Sequence, residues 1–322
     1  SSPGRSAMKL QSGTGHGGAP GLVAAPLQMH FALPRIFEFI TPAVFAQSAA
    51  SVCRKLPAPY FRHFSRIVVV PDDVPSINAA INRLARDGDD VCSAERRGLV
   101  LIRPGLYSES VRVTQNCWIL GLGAPGGVVI EAPGWESALV FSGLGVRGFG
   151  SGEDAYVGNL TFRCRNEQMR GRCVYIVLGQ PRIDLCTIEG GVVVGGSKTA
   201  PHFDSCCVTG SWGNGFHLTD HCRPSLWDTL VMKNRRHGVL VDRSSRPAIV
   251  NCTIRGNAAC GIRYFNGGGV VEVACTDDDS REVVPRARLG DSLARFVGNV
   301  LEDNGDGSFS ATPRFADSAD NP

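Results

Sequence analysis

Apolar and polar residues recur with a fixed period through the middle of the chain. Four segments that each open with a proline can be superposed, and they start at Pro181, Pro201, Pro224 and Pro247. Within each segment, short apolar stretches are separated by turn-forming residues, which favours strands and excludes helices. Self-similarity of this kind is typical of stacked units, because one unit cannot bury its apolar face alone.

The aligned segments predict an inner face and a first corner. Position +7 after the proline is aliphatic in all four segments: Ile188, Val208, Val231 and Ile254. Position +5 is cysteine or threonine, and alternate positions of a strand face the same side. The chain must bend between a strand at +2 and a strand at +5 to +7. Three segments place polar residues that tolerate turn geometry at this bend: Ser205, Asp228 and Asn251.

Two later columns predict a second corner. Asn234 and Asn257 share position +10 with Ser211, which predicts a ladder of asparagines. Position +14 is glycine in three segments, each time followed by an apolar residue: Gly215, Gly238 and Gly261. Each unit is therefore predicted to hold three short strands, and parallel stacking of the units gives a parallel β-helix.

The pattern weakens but extends to both sides of the repeats. Strand-like stretches lie upstream in residues 97–166, and residues 296–309 look like a last coil after an insertion. Ahead of them, four apolar residues have the spacing of one helix face: Ile77, Ala80, Ile81 and Leu84. Asp73 and Pro75 suit the start of this helix, which we predict to cover the N-terminal end of the stack.

The helix, the stretch PGLYSESVRV (104–113) and coils of the N-C-T-I type carry a family resemblance. Together they resemble the right-handed β-helix superfamily that includes pectin lyases and pectin methylesterases. The resemblance covers residues 67–315 and leaves a tail at 316–322. It implies an all-β fold, a right-handed parallel β-helix solenoid with an N-terminal capping helix, but fold alone does not carry function.

Composition excludes several classes of partner. The chain has 322 residues and a formal net charge of +3, and it has no basic run interleaved with aromatic residues. Nucleic acid and an acidic membrane surface are therefore not predicted as partners. The twelve cysteines include no C-x-x-C pair, which argues against a zinc ribbon. Cysteines on adjacent strands would be close enough to form disulfides, but we favour reduced thiols, because several cysteines fall in an inward column.

The first 66 residues differ from the rest. Residues 1–26 are rich in glycine, serine and alanine without periodicity, and we interpret them as a disordered or targeting segment. Within 27–66, Thr41 and Pro42 are an N-cap and first-turn signal for a helix. Its apolar residues recur at helical spacing: Phe45, Ala49, Val52 and Leu56. Two small amphipathic helices in this space make a poor independent core, so the segment is expected to dock elsewhere.

Residues 27–66 resemble an F-box. The matching positions are Ile36–Ile40, Thr41-Pro42, Phe45, Ala49-Ala50 and Val52-Cys53-Arg54. The order of the chain is most similar to F-box proteins that carry a C-terminal β-helix, so a short α-helical F-box-like segment is expected ahead of the solenoid. The resemblance implies a substrate-recognition adaptor of a cullin–RING ubiquitin ligase, cytoplasmic or nuclear, whose partners are the small ligase adaptor and a protein substrate. The implied docking residues are Ile36, Phe37, Phe39, Ile40, Phe45 and Val52.

A protein substrate is expected on the lateral surface of the β-helix. The candidate contacts are exposed polar and aromatic residues on neighbouring coils: Trp212, His217, Arg235, Arg236, Arg243 and Arg263. No cofactor is predicted, and the histidines occupy different columns and offer no metal set. The sequence leaves the oligomeric state open.

Two other functions remain open at this level. One is a polysaccharide-active enzyme (lyase, esterase or epimerase), with Asp204 and Asp228 as weak catalytic candidates near one corner. No pectin methylesterase or polygalacturonase signature is complete, so an enzyme is not the favoured interpretation. The other is a structural or docking subunit of an organellar complex, because residues 1–37 contain no acidic residue and could act as a transit segment. The apolar stretch 31–52 contains charged residues and prolines, which argue against a membrane span.

Overall fold

The computed structural model describes residues 64–86, 97–142, 155–164, 172–242, 245–265, 273–275, 295–305 and 309–312. The F-box-like docking residues, Arg243 and the predicted tail lie outside these ranges. The first elements are β1 (Phe64–Val70), which begins shortly before the predicted start of the solenoid, and α1 (Ile77–Arg86). The only helix among the described residues is α1, and it is too short to cross a bilayer.

Eight coils of short strands follow within the described ranges. The first four comprise β2 (Arg97–Ile102), β3 (Gly105–Ser108) and β4 (Val111–Val113); β5 (Cys117–Gly121), β6 (Val128–Glu131) and β7 (Leu139–Phe141); β8 (Tyr156–Gly158), β9 (Thr161–Arg163) and β10 (Val174–Ile176); and β11 (Arg182–Asp184), β12 (Thr187–Glu189) and β13 (Val192–Gly195). The next three comprise β14 (His202–Asp204), β15 (Cys207–Thr209) and β16 (Phe216–Thr219); β17 (Ser225–Trp227), β18 (Leu230–Met232) and β19 (Val239–Asp242); and β20 (Ala248–Val250), β21 (Thr253–Arg255) and β22 (Ile262–Phe265). The last comprises β24 (Arg295–Glu302) and β25 (Phe309–Thr312), with β23 (Val273–Cys275) pairing alongside β24.

Equivalent strands of successive coils pair in parallel and form three sheets. The first strand of each coil builds sheet 1, the second builds sheet 2 and the third builds sheet 3. In the last coil β24 runs through both sheet 1 and sheet 2, where it pairs with β20 and then with β21. This arrangement is a parallel β-helix, as the repeat predicts.

The predicted inner row is confirmed. Ile188, Val208, Val231 and Ile254 are in register on neighbouring strands of sheet 2, and all four are fully buried. The column at +2 makes a matching row in sheet 1 that ends in Phe296. Each coil therefore buries its apolar side chains against the coils above and below it, and this stacking supplies most of the core.

The first corner is confirmed at position +4. Ser205, Asp228 and Asn251 have φ values of 51°, 46° and 53°, which is the left-handed region that asparagine and aspartate tolerate better than most residues. Leu185 occupies the same column with φ 51°, where leucine is unusual. Its side chain packs against a second apolar cluster outside sheet 1, and this packing compensates for the unfavourable backbone.

The second corner holds the predicted asparagine ladder. Asn257 Oδ1 accepts from the backbone N–H and the side-chain amide of Asn234, at 3.2 and 2.9 Å. Asn257 in turn donates to Asn304 Oδ1 at 2.9 Å, which extends the ladder into the last coil. Asn234 and Asn257 are buried, so their hydrogen bonds replace those that water would make in the unfolded chain.

The glycine that follows the ladder is required by its surroundings. A Cβ on Gly238 would lie 2.4 Å from Ile254 Cγ2 and 2.6 Å from the carbonyl oxygen of Gly261. Neither atom is the free end of a flexible side chain, so any larger residue would push adjacent coils apart.

The capping helix is confirmed, with a different cap from the predicted one. Ser76 Oγ accepts from the N–H of Ala79, whereas Asp73 accepts from the N–H of Val69 and stabilises the turn before the helix. The N–H groups of Ile77 and Asn78 lie in the first turn, where a helix offers no acceptor, and they donate to the carboxylate of Glu109 at 2.8 and 3.0 Å. A carboxylate at this position also opposes the positive end of the helix dipole.

Replacing Glu109 by glutamine is expected to lower the free energy of unfolding by about 1–2 kcal/mol, because the helix loses a charged acceptor at its N-terminus. Urea unfolding followed by circular dichroism measures this loss. Glu136→Gln is the matched control, because the side chain of Glu136 forms an exposed ion pair with Arg112 at 3.7 Å and does not face the helix. Equal losses in the two variants would contradict the capping role.

Candidate functional site

Sheet 1 carries a strip of polar and aromatic side chains on its outward face. Register places Tyr156 beside Arg182, Arg182 beside His202, and His202 beside Ser225. Two positions along each strand, Asp184 lies beside Asp204 and Asp204 beside Trp227. We call these seven residues the acidic strip: Tyr156, Arg182, Asp184, His202, Asp204, Ser225 and Trp227.

One arginine joins the two carboxylates of the acidic strip. Arg182 Nε donates to Asp184 at 2.9 Å, and Arg182 Nη2 donates to Asp204 Oδ2 at 3.1 Å on the next coil. The Tyr156 hydroxyl donates to Asp184 Oδ2 at 2.7 Å. Asp184 is buried to 2% exposure, so the hydrogen bonds from Arg182 and Tyr156 compensate for the loss of water around its charge.

His202 lies at the open end of this network. Its Nδ1 is 2.7 Å from Ser225 Oγ, and its Nε2 is 3.9 Å from Asp204 Oδ2. The imidazole ring and the ring of Trp227 have centroids 6.2 Å apart. Trp227 is 42% exposed, so the strip offers an aromatic face to solvent beside a histidine and a carboxylate.

Burial shifts the ionisation of two groups in the strip in opposite directions. Burial raises the pKa of Asp184, and the hydrogen bonds from Arg182 and Tyr156 offset part of this change. Burial lowers the pKa of His202, and the nearby charge of Arg182 lowers it further. On sheet 3, burial also lowers the pKa of His217. Both histidines are therefore neutral at physiological pH.

Stability is expected to fall on mild acidification. In the unfolded chain His202 and His217 take up protons near their ordinary pKa of about 6.5, whereas the folded protein binds them only at lower pH. The free energy of unfolding therefore decreases as the pH falls below about 6.5, until the folded-state pKa is passed. Denaturant unfolding at pH 7.5 and 5.5 measures the change, and His202→Gln is expected to reduce it. The exposed His221, changed to glutamine, is the matched control, and an equal reduction there would contradict the assignment to His202.

The two catalytic candidates from the sequence lie in different environments. Asp204 is in strand β14, and its partners are Arg182 and Ser205. Asp228 is an exposed corner residue with a left-handed backbone. The carboxylate that the structure places next to Asp204 is Asp184, which we did not single out in the sequence. Both are at position +3, so the column alignment contained the signal.

A second surface occupies the corner that leads into sheet 3. The guanidinium carbon of Arg235 lies 3.2 Å from the centroid of the Trp212 ring on the preceding coil, which is a cation–π contact. Arg235 and Arg236 are both exposed, and Trp212 is half-buried. The structure thus brings together three of the residues expected to contact a protein substrate.

Two more of these residues share a row on the outward face of sheet 3. His217 is in register with Leu240, and Leu240 with Arg263. The row continues in the other direction through Val193 and Tyr175. We call this the outward row, and we call the corner residues Trp212, Arg235 and Arg236 together with His217 and Arg263 the cationic surface.

The described residues were compared with the groups of side chains that bind metal ions. Within these ranges no group of three or more histidine, cysteine, aspartate or glutamate side chains could hold a metal ion. The acidic strip instead combines two carboxylates with a neutral histidine and one arginine. Such a set can bind polar ligands or exchange protons, and the cationic surface can bind anionic ones.

Comparison with known proteins supports the fold and its handedness. A family model described as a right-handed β-helix region matches residues 142–281. No curated protein and no solved structure matches the chain. The matched region contains the entire acidic strip and the entire cationic surface. The family match and the three parallel sheets support a right-handed parallel β-helix.

Proposed function

We propose that the β-helix is a protein-recognition domain and that the whole chain is a substrate-recognition adaptor of a cullin–RING ubiquitin ligase. In this proposal the cationic surface binds an acidic segment of a protein substrate. The F-box-like residues in 27–66 bind the small adaptor of the ligase, mainly through Ile36, Phe39 and Phe45.

One observation carries the proposal: exposed arginines are held beside a tryptophan on a rigid corner. The contact of Arg235 with Trp212 fixes the guanidinium, and Arg236 lies next to it on the same coil. Arginine and tryptophan dominate the binding energy of many protein interfaces. Because backbone hydrogen bonds hold this corner, for example from Arg235 N to Ser211 O at 2.8 Å, little conformational entropy is lost on binding.

Charge supports an acidic partner. The cationic surface combines Arg235 and Arg236 with Arg263 of the outward row. An acidic segment would be attracted to these cations over about 10 Å at 0.1 M salt, and its carboxylates match the fork of a guanidinium. Leu240, which lies between His217 and Arg263 in the row, carries no charge, so the arginines supply the charge that selects an acidic partner.

The test separates the two halves of the proposal. The full chain, tagged and expressed in eukaryotic cells, is purified after cross-linking and assayed for the small ligase adaptor, the cullin and other bound proteins. Ile36→Ala with Phe39→Ala is expected to reduce the ligase components by at least about tenfold and to leave substrates bound. Arg235→Glu with Arg236→Glu is expected to reduce the bound substrates and to leave the ligase components bound.

Controls distinguish a lost interface from a lost fold. Arg223→Glu reverses the charge of an exposed arginine at a different corner and is expected to leave both sets of partners unchanged. Each variant must retain the circular dichroism spectrum of the wild type. Absence of the ligase components from the wild-type purification would overturn the ligase role. Unchanged partners after reversal of Arg235 and Arg236 would overturn the role of the cationic surface.

The acidic strip supports a second candidate function, a polysaccharide-active enzyme. The specific observation is that Asp184 and Asp204 lie on neighbouring coils, share Arg182 and have His202 and Trp227 beside them. Paired carboxylates act as acid and base in carbohydrate chemistry. This candidate predicts turnover of a polyuronate that Asp204→Asn abolishes and that Asp228→Asn, at the exposed corner, preserves. No product from polygalacturonate or a related polyuronate would exclude it.

A further inference from the structure

Two cysteines lie together at the corner between sheets 2 and 3, outside both surfaces described above. Cys164 directly follows β9, and Cys173 directly precedes β10. Gly190 lies below them on the next coil. A Cβ on Gly190 would lie 2.6 Å from Cys173 Cβ and 3.6 Å from Cys164 Cβ. Both cysteines therefore occupy the space that the missing side chain of Gly190 leaves.

The two thiols of this pair differ in exposure. Cys164 is partly exposed, and its Sγ is 3.3 Å from the carbonyl oxygen of Glu136, to which the thiol donates. Cys173 is fully buried. Cys173 shares the space above Gly190 with Cys164, and the influence of its side chain lowers the pKa of Cys164. Burial raises the pKa of Cys173 well above its ordinary value. The exposed sulfur is thus the better nucleophile, and the buried Cys173 lies beside it in the space above Gly190.

Most other described cysteines have environments that make them unreactive. Burial raises the pKa of Cys117 and Cys186 to about 12 and that of Cys222 and Cys252 to about 11. Burial also raises the pKa of Cys207, which is half-buried. Thiols of this kind carry little thiolate at neutral pH and react slowly with oxidants. The lowered pKa of Cys164 sets it apart from these five thiols.

We propose that Cys164 and Cys173 form a peroxide-sensitive dithiol site whose oxidised form is an intramolecular disulfide. A low-pKa, accessible cysteine beside a second thiol is the arrangement that redox-sensing cysteines share. The site would take hydrogen peroxide or an organic hydroperoxide as its oxidant. This proposal is independent of the proposed function, because neither cysteine belongs to the cationic surface or the acidic strip.

The chemistry proceeds in two steps. The Cys164 thiolate attacks one peroxide oxygen, an S–O bond forms and the O–O bond breaks. The leaving hydroxide or alkoxide takes up the proton that the Cys164 thiol had released. Cys173 then attacks the sulfur of the Cys164 sulfenic acid, an S–S bond forms and the S–O bond breaks, and hydroxide leaves as water with the proton of Cys173. Overall two thiols are oxidised to one disulfide. Hydrogen peroxide is reduced to two molecules of water, and an organic hydroperoxide is reduced to one molecule of water and one of alcohol.

The test is peptide mapping of the folded full chain after treatment with hydrogen peroxide. We expect the peptides of Cys164 and Cys173 to lose alkylation together, to appear as one linked species that is lighter by about 2 Da, and to recover with dithiothreitol. In Cys173→Ser, Cys164 is expected to accumulate as a sulfenic acid that dimedone traps. In Cys164→Ser, Cys173 is expected to stay reduced during peroxide treatment, because it is buried, and to be alkylated once the protein is unfolded.

The matched control is Cys207→Ser, which removes a half-buried thiol from another coil and is expected to leave the linked species unchanged. Full alkylation of Cys164 and Cys173 after peroxide treatment that oxidises other thiols of the chain would overturn the proposal. A disulfide from Cys164 to a different cysteine would also overturn it. Circular dichroism before and after treatment shows whether the thiols react in the folded protein, and oxidation that occurs only after unfolding would contradict the proposal.

Discussion

Truncation of Phe203 to alanine is expected to lower the free energy of unfolding by about 3–5 kcal/mol, one of the largest effects of any single substitution in this protein. Phe203 is fully buried in the inner row of sheet 1, between Ile183 and Leu226 on neighbouring coils. Its ring packs edge to face on Phe216 of sheet 3, with centroids 5.1 Å apart. The truncation therefore removes contacts between two sheets as well as between coils, and the rigid stack cannot collapse to fill the cavity.

Chemical denaturation followed by circular dichroism measures the loss, and a decrease in the urea midpoint at constant slope identifies it as a change in stability. Leu106→Ala is the control, because Leu106 is 62% exposed on the outside of sheet 2. We expect the control to change stability by less than about 0.5 kcal/mol. Similar losses in the two variants would mean that the predicted inner row does not form the core.

Replacement of Asn257 by alanine is expected to cost about 2–5 kcal/mol, because it leaves several buried polar groups without partners. The backbone N–H and side-chain amide of Asn234 both lose their acceptor, and Asn304 Oδ1 loses a donor. Asn257→Ser is expected to lower the free energy of unfolding by less, because a serine hydroxyl can still accept one hydrogen bond. Ser211 already occupies the equivalent position of an earlier coil.

Thermal and urea unfolding of the two variants measure these losses. Asn214→Ala supplies the comparison within the same corner region, since Asn214 Oδ1 accepts one bond, from the N–H of His237 at 3.2 Å. We expect Asn214→Ala to cost only about 1 kcal/mol. If it destabilised the protein as much as Asn257→Ala, the buried ladder would not be the determinant of this corner.

The repeat predicts those features that depend on one coil lying directly above the next. Because the period fixes the register, the aligned columns of the sequence alone predict the inner row at Ile188 and Val208, the corner at Asn251 and the ladder at Asn257. The same reasoning could have identified the pairing of Asp184 with Asp204, which share a column. We compared Asp204 with Asp228 instead. Asp204 is at position +3 and lies on the outward face of a strand, whereas Asp228 is one position later and is an exposed corner residue.

Other features depend on contacts that no column contains. Glu109 caps a helix that begins at Ile77, and local cap signals do not include a residue so distant in the chain. Cys164 follows β9 and Cys173 precedes β10, so their proximity depends on where these two strands end and on the space above Gly190. The left-handed Leu185 contradicts residue preference, and only its packing against the outer apolar cluster explains it.

The outward row on sheet 3 also limits the shape of any partner that follows it. Its side chains repeat with the spacing of adjacent strands, about 4.8 Å along the solenoid axis. An extended peptide laid along that axis repeats its same-facing side chains about every 6.7 Å, and it would be out of step with the row after two coils. An α-helix advances about 5.4 Å per turn, which differs from the coil spacing by only about 0.6 Å. A partner that contacts His217, Leu240 and Arg263 in succession is therefore better matched as a helix than as a strand.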